Sequence, residues 1–581
     1  MYRQVTDPLG HPALTALLAA LPLLVLLFLL GVVRTKSHTA ALGGLATAAL
    51  VAIACYRMPV LQVADGAAEG AAFGLFPIVW IVLNAVWINK LQRASGHFDT
   101  IGKVFSSLSD DTRVQALLIA YCFGAMIESL SGFGTPIAIT SLLLLALGLE
   151  PLKAAAVATF ANTAPAAFGS VGNPIQALAK VTSYSTHDLG AMVGRQSPVV
   201  AFLVPFALLL MLDGRRGLRE VWPAAAVAGA GFGAGQFLCA NYLVYQLTDV
   251  GAAVASTVAL VLLLRVWTPR RRTAAEGEGG GGVSASAVPT ATVNALGGPA
   301  VAAGAPLVPA PAPAPAAEAV AGTVTGPAWR PDGRSEAVRA FSPYAILTVL
   351  FALVSLHGPV ERFVRSFDTR FAWPGLHVAG ASGRPVSIAD FDFGWLGAAG
   401  TLLLTTGVLT SWLLRVPLRQ AVRCYGQALR QLRPAALTIA CVLALSYVMN
   451  LSGMAVSLGT WLAGIGSAFA LLSGFLGWFG VALTGSDTSS NALFGAMQVS
   501  AARHSGLSPL LMAATNSSAG VLGKAAAMQN LVIAAGALGL SGREGEILRK
   551  VIGWSLGLLV VLCLVALLQS TPVLDWMVPG G

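Results

Sequence analysis

The sequence predicts an all-α, polytopic membrane protein on three observations: apolar windows of spanning length recur along the chain, basic residues gather in the short loops between them, and polar, helix-breaking stretches interrupt some of the windows. Crossing the hydrocarbon takes about 20 mostly apolar residues. Such windows run over 13–33, 38–55 and 66–89 and continue to 569, giving roughly twelve to fourteen spans. Of the 581 residues, 56% are hydrophobic and only 10% charged, more apolar surface than a soluble core of this length can bury. The window 13–33 lacks a charged leader and a small-residue cleavage site, so it reads as a retained first span.

The formal net charge of +10 does not indicate nucleic acid, because the bases lie in loops and not on one amphipathic surface. Arg34 and Lys36, then Lys90, Arg93, Lys103 and Arg113, then Arg215, Arg216 and Arg219 mark loops expected on the cytoplasmic side, with the N-terminus outside. Six scattered cysteines (Cys55, Cys122, Cys239, Cys424, Cys441, Cys563) form no CxxC pair, so neither a disulfide framework nor a metal site is indicated, and nothing calls for a cofactor.

Composition divides the chain into a first membrane half (1–268), a linker (269–340) and a second membrane half (341–581). The linker opens on Arg270 to Arg272, passes through a Glu-Gly run and continues as alternating Ala and Pro around Pro309 to Pro315. It cannot bury enough apolar area to offset the entropy of ordering, so a disordered cytoplasmic segment is expected. A polar insert at about 358–392 is expected outside. Between 415 and 433, Arg415, Arg419, Arg423, Arg430 and Arg433 alternate with apolar residues, the pattern of a helix lying along the cytoplasmic interface.

The two halves repeat one another. Ser131 to Thr135 matches Thr484 to Thr488 at an offset of 353, Gln176 matches Gln529 at the same offset, and Asn162-Thr163 matches Asn516-Ser517 one residue later. By the charge count the loop at His187 is outside, whereas its counterpart at Arg543, beside Arg549 and Lys550, is inside. Equivalent loops on opposite faces define two inverted repeats, an arrangement that in transporters places substrate at the repeat interface.

Four stretches combine Gly or Pro with Ser, Thr or Asn inside apolar surroundings: 128–136, 161–176, 484–491 and 515–524. Backbone left unpaired in hydrocarbon is expensive, so such breaks survive only inside protein or along a wet cavity. Broken or re-entrant helices are expected, with free N–H groups at their ends suited to a small carboxylate. The candidate substrate contacts are Ser131, Gly132, Thr135, Asn162, Thr163, Gly485, Ser486, Thr488, Ser489, Asn491 and Asn516, with Lys524 and Arg195 as the nearby cations. Arg195 is also placed to extend toward the outer interface. Ionisable residues within spans are functional by default, which singles out Glu128 and Asp487 for proton coupling. Asp487 lies in a hydroxyl-rich run and reads as a site organiser. Glu128, beside Met126, Ile127 and Leu130, has fewer evident partners and reads as the proton carrier.

The runs Cys122 to Pro136, Asn162 to Gly169, Val193-Gly-Arg-Gln196 and Leu483 to Phe494 resemble the L-lactate permease family. Asp7-Pro-Leu-Gly10, Gly477-Trp-Phe-Gly480 and Gly523-Lys524 extend the similarity to nearly the whole chain outside the linker and the insert. The resemblance implies a polytopic helical transporter of the inner membrane, a symporter that takes up L-lactate, D-lactate and glycolate with protons. Two departures bear on substrate and ion: Ala525-Ala-Ala-Met-Gln-Asn530 replaces the family's Ser-Pro-Gln stretch, and Asn173 stands where the family has an aliphatic residue. The implied partners are small 2-hydroxymonocarboxylates, protons and the lipid bilayer, with no nucleic acid; a homo-oligomer is allowed. A sodium-coupled carrier of another small carboxylate is the alternative, because the same Asn, Thr and Asp groups could hold sodium. An enzyme is not indicated: there is no His-Glu-x-x-His pair, no Gly-x-Ser-x-Gly elbow and no second acidic motif to pair with Asp487. A sensor or scaffold would rest on the linker alone.

Overall fold

The computed structural model describes residues 1–132, 134–269, 334–356, 358–380, 383 and 386–579. Most of the stretch read as a linker, including Arg270 to Arg272 and the Ala/Pro run, lies outside the described residues, and the helix Arg334–Leu356 begins within it. Ten helices among the described residues are long and apolar enough to cross a membrane. Their exposed faces are apolar: Leu14, Leu17, Leu21, Leu24 and Phe28 recur at helical spacing along Pro12–Gly31 and are all exposed, a stripe suited to lipid. The sequence suggested more spans because several apolar windows fold as shorter pieces. Thr135–Ala146, Pro151–Ala161 and Ala399–Leu413 are apolar helices below spanning length, whereas Thr186–Tyr242 is one long element bent at Asp213 and Gly214.

The molecule has two distinguishable ends. At one, the N-terminal strand Tyr2–Arg3 pairs in parallel with Val378–Ala379 of the polar insert, whose other strands, Thr369–Ala372 and Asp390–Phe393, form an antiparallel pair. At the other, the buried Arg113 guanidinium is bonded to Asp111 (2.9 Å), Asp213 (3.0 Å) and Glu220 (2.7 Å), close to Arg215, Arg216 and Arg219. These are called the insert end and the basic end below.

Two hairpins enter from opposite ends. The first runs through Gly124–Ser131, reverses at Gly132 and Gly134 (φ 44° and 78°) and leaves through Thr135–Ala146. Its foot is at the basic end, where Lys153 Nζ donates to the Leu212 carbonyl (3.0 Å) and Glu150 interacts with Arg543. The second runs through Phe469–Thr484, reverses at Gly485 (φ 75°) and leaves through Asp487–His504. Its foot is at the insert end: Ser500 Oγ donates to the Val456 carbonyl, and Ser457 of that neighbouring segment donates to the Thr6 carbonyl. A broken helix follows each hairpin, Pro151–Ala161 with Gly169–Thr182 in the first half and Pro509–Gly523 with Met528–Ala537 in the second. His187 lines a cavity with residues of the insert, opposite the end that holds Arg543.

The basic run 415–433, read as a helix along the cytoplasmic interface, falls largely in the first part of a longer helix. Leu418–Ser452 is one helix of 35 residues, and its basic first part packs through Ala421, Cys424, Ala428 and Leu432 on Val82, Val86 and Trp87. Trp87 Nε1 donates to the Ala421 carbonyl (3.0 Å). The apolar residues between the arginines therefore divide: Ala421, Cys424, Ala428 and Leu432 face protein, whereas Leu418, Val422 and Leu429 are exposed.

Small residues let the second hairpin approach the second broken helix closely, the usual basis of helix packing within membranes. A Cβ on Gly477 would lie 2.2 Å from the Asn516 carbonyl oxygen, and one on Gly523 would lie 2.1 Å from that of Trp478. Gly477→Ala must push backbone from backbone, and a destabilisation of about 1–3 kcal/mol is expected, read as a lower thermal unfolding midpoint of the detergent-purified protein. Gly426→Ala, with no atom within 4 Å of the new methyl group, is the control and is expected to leave the midpoint unchanged or slightly raised.

Candidate functional site

The helix breaks converge on a cavity of about 470 Å³, within the range of small-molecule sites. The first hairpin contributes Glu128 and Gly132, the first broken helix Ala166, Gly169, Ser170, Asn173 and Pro174, the second hairpin Thr484 to Ser489, and the second broken helix Lys524, Gln529 and Asn530. Lys36, Ser37 and His38, with Gln431, Pro434 and Ala435, continue the lining toward the basic end. Ser170, Val171 and Gly172 are left-handed within Gly169–Thr182 (φ 48°, 59° and 74°), so the helix opens its backbone here instead of crossing intact.

Lys524 and Glu128, drawn from different halves, form a buried ion pair. Asn162 Nδ2 donates to the other Glu128 oxygen (3.1 Å), and Asn530 Nδ2 holds the Lys524 carbonyl (2.9 Å). Glu128 is 2% exposed and Lys524 7%, so neither charge is neutralised by bulk water. Glu128, read as the less partnered acid, thus has a cation and an amide. Asp487 accepts from Ser517 Oγ (2.6 Å) and Asn491 Nδ2 (3.4 Å) through Oδ2, while its Oδ1 has no partner.

A polar network surrounds the pair. Asn491 Nδ2 donates to the Pro174 carbonyl (3.1 Å) and to Ser517 Oγ (3.0 Å), and Asn516 Nδ2 donates to Asn491 Oδ1 (2.9 Å). Gln498 Nε2 closes the chain by donating to Asn516 Oδ1 (3.2 Å) and to the Ser473 carbonyl (3.1 Å). Asn491 therefore ties the second hairpin to the first broken helix at Pro174.

Of the residues singled out in the sequence, Glu128, Gly132, Gly485, Ser486, Asp487, Thr488, Ser489 and Lys524 line the cavity. Asn162 and Asn491 stand behind its wall and hold the lining groups Glu128 and Pro174, and Asn516 holds Asn491. Ser131 and Thr163 are buried, the latter donating to the Phe160 carbonyl, and Thr135 opens the second arm of the first hairpin; none of the three lines the cavity. Arg195 is elsewhere: its guanidinium donates to Asn241 Oδ1 (2.8 Å) and to the Met577 carbonyl (2.8 Å). Ser170 and the Lys36 to His38 turn were not anticipated as lining groups, although Lys36 was noted for its charge. Asp249 was passed over altogether. It stands in the first turn of Thr248–Val266, is 1% exposed, has no hydrogen-bond partner at either carboxylate oxygen, and interacts electrostatically with Glu128 and Lys524. An acid heading the long apolar run from Val250 to Leu264 was the available signal.

A multi-pass helical protein whose broken helices from two halves enclose a charged cavity is built as a membrane permease and not as an enzyme. The comparisons give the family: the family model described as L-lactate permease matches residues 15–573, and the chain belongs to that family. The glycolate permease GlcA of Escherichia coli (strain K12) is 38% identical over 98% of both chains. The L-lactate permeases of Escherichia coli (strain K12) and Bacillus subtilis (strain 168) are 35% and 36% identical over the full length of both chains. The protein is accordingly a multi-pass membrane protein, in bacteria one of the inner membrane.

Asn491→Ala would leave the Pro174 carbonyl, Ser517 and Asn516 short of partners, each buried group at about 1–3 kcal/mol. A lower thermal midpoint and loss of transport are expected together. Arg195→Ala, remote from the cavity, is expected to leave the half-saturating substrate concentration unchanged, as measured by initial uptake rates.

Proposed function

We propose that this chain imports L-lactate, D-lactate and glycolate, each with a proton. The observation that carries the reading is the buried Lys524–Glu128 pair on the wall of a cavity of about 470 Å³. A carboxylate entering that cavity can replace Glu128 on the ammonium of Lys524. Glu128, released into a poorly solvated position, then becomes neutral by taking a proton, so substrate and proton are bound together. The hydroxyl groups of Ser170, Ser486, Thr488 and Ser489 offer partners for the 2-hydroxyl of the substrate. Its relatives, a glycolate permease and two L-lactate permeases, support this substrate class. By the charge bias of its loops the basic end faces the cytoplasm, so the cavity described here is the inward-open one.

Uptake of labelled lactate into proteoliposomes, with a proton or a sodium gradient imposed separately, tests the reading: the proton gradient is expected to drive accumulation and the sodium gradient to have no effect. Lys524→Ala removes a charge-assisted bond worth about 1.5–3 kcal/mol, so the half-saturating concentration is expected to rise about tenfold to a hundredfold. Glu128→Gln mimics the protonated acid and is expected to abolish gradient-driven accumulation while lactate exchange persists. Accumulation by Glu128→Gln equal to that of the unaltered protein would refute the coupling role of Glu128.

A further inference from the structure

The Lys524–Glu128 pair does not balance the charges around it. Three acids, Glu128, Asp249 and Asp487, are at most 5% exposed, and Lys524 is the cation that interacts with each of them. Leaving two uncompensated carboxylates in such surroundings is prohibitive, so protons must reside among these acids in the substrate-free protein. Asp249 is the member with neither a cation in contact nor a hydrogen-bond donor at either oxygen.

Its position adds a second, independent observation. Asp249 follows directly on the turn Tyr245–Leu247, and Val244, Tyr245 and Gln246 line a separate cavity of about 450 Å³ at the insert end. On its other side, the helix Thr248–Val266 packs on Gly124–Ser131, which carries Glu128. The backbone between the two cavities is thin at this point. A Cβ on Gly172 would lie 2.7 Å from the Tyr245 ring, and one on Gly169, three residues earlier, would lie 2.8 Å from Glu128 Oε1. Asp249 lines neither cavity, and it interacts electrostatically with Glu128 and Lys524, which line the first.

We propose that Asp249 is the proton relay between the outer cavity at the insert end and the Glu128–Lys524 pair. The inference rests on the proton-coupled reading above and deepens it. When a substrate carboxylate takes Lys524 from Glu128, the proton on the Asp249 carboxyl passes to the Glu128 carboxylate, directly or through water. Asp249 is left charged and regains a proton from water in the outer cavity. One negative charge enters with the substrate and one proton enters through Asp249, so the charge of the cluster is unchanged. The other titratable groups around Asp249 do not compete for this role. Cys239 on Thr186–Tyr242 is a thiol, Tyr245 is bonded to Gln176 and Thr186, and Tyr121 and Cys122 on the segment before Glu128 are bonded to the Ala201 carbonyl and Ser256. Lys180, at the far end of Gly169–Thr182, is engaged with Asp390 and Asp392 of the insert.

The test compares Asp249→Asn with the unaltered full-length protein in proteoliposomes, reading accumulation under an imposed proton gradient and lactate exchange without one. A relay predicts that Asp249→Asn loses accumulation down to the level of protein-free liposomes while it still exchanges lactate, and that exchange certifies the fold. Accumulation equal to that of the unaltered protein overturns the proposal. If Asp249→Asn loses exchange too, Asp249→Glu decides. A relay keeps accumulation with its pH profile displaced, because the new carboxyl meets different surroundings, whereas an unmoved profile marks a structural carboxylate and also overturns the proposal. Absence of proton-driven accumulation in the unaltered protein would be a failure of the coupling reading itself, visible before any variant is compared.

Discussion

The ion pair between Lys524 and Glu128 is the contact on which the rest of the site depends. It joins the two halves across 396 residues of sequence, and both partners are almost wholly removed from solvent. A buried pair of this kind gives little net stability, because desolvation of the two ions consumes most of their attraction, whereas removing either partner strands the other at about 3–5 kcal/mol. Such a contact is poor as a fastener and effective as a switch. Any anion that competes for Lys524 changes what Glu128 must do, and any displacement of one half against the other has to carry the pair along or separate it.

The surrounding architecture follows from the need to keep that pair dry yet reachable. Intact helices would satisfy their own backbone and present only side chains, so the chain is broken four times where it meets the cavity, and side-chain amides and hydroxyls hold the adjoining segments. Asn491, Asn516 and Gln498 form a chain from the Pro174 carbonyl to the Ser473 carbonyl, joining the first broken helix to the second hairpin without a charge. Glycines at 477 and 523 bring the second hairpin and the second broken helix close enough for this chain to close. Packing and polar satisfaction are thus one constraint here, since widening the helix contact would also pull the amides apart.

Much of this was legible in the sequence because breaks at membrane depth are conspicuous against an apolar background. The Gly132, Gly485 and Lys524 regions could be identified as parts of a site from residue type alone, and the repeat offset paired them correctly. What the sequence could not supply was long-range partnership. Glu128 looked isolated because its neighbours in the chain are Met126, Ile127 and Leu130, while its actual partners are Asn162 and Lys524. Arg195 was one of two nearby cations, also placed to extend toward the outer interface, and its guanidinium is taken up by Asn241 and the Met577 carbonyl. Asp249 went unnoticed because an acid at the start of a span reads as a loop residue, and only the fold brings that loop against the site. The run 415–433 posed the converse problem, since its pattern does not tell which apolar residues pack on another helix, as Ala421 and Ala428 do, and which stay exposed, as Leu418 and Val422 do.

Cavities and charges behave differently under the repeat. Gln176 and Gln529 are equivalent in sequence, yet Gln529 lines the cavity that reaches the basic end and Gln176 lines the cavity at the insert end. Each cavity draws residues from both halves, and the two open toward opposite ends, as an inverted repeat requires if opening at one end is to be exchanged for opening at the other. The charges do not follow that symmetry. At the same offset Glu128 corresponds to Val481, Asp487 to Gly134 and Lys524 to Val171, all without charge. A symmetric charge set would place an equal pair at each end and give neither half a distinct part in binding an anion. Glu128, Asp249, Asp487 and Lys524 are gathered on one cluster, apart from the buried Glu69 near the insert, and under the proposed mechanism whichever cavity is open reaches the same Lys524.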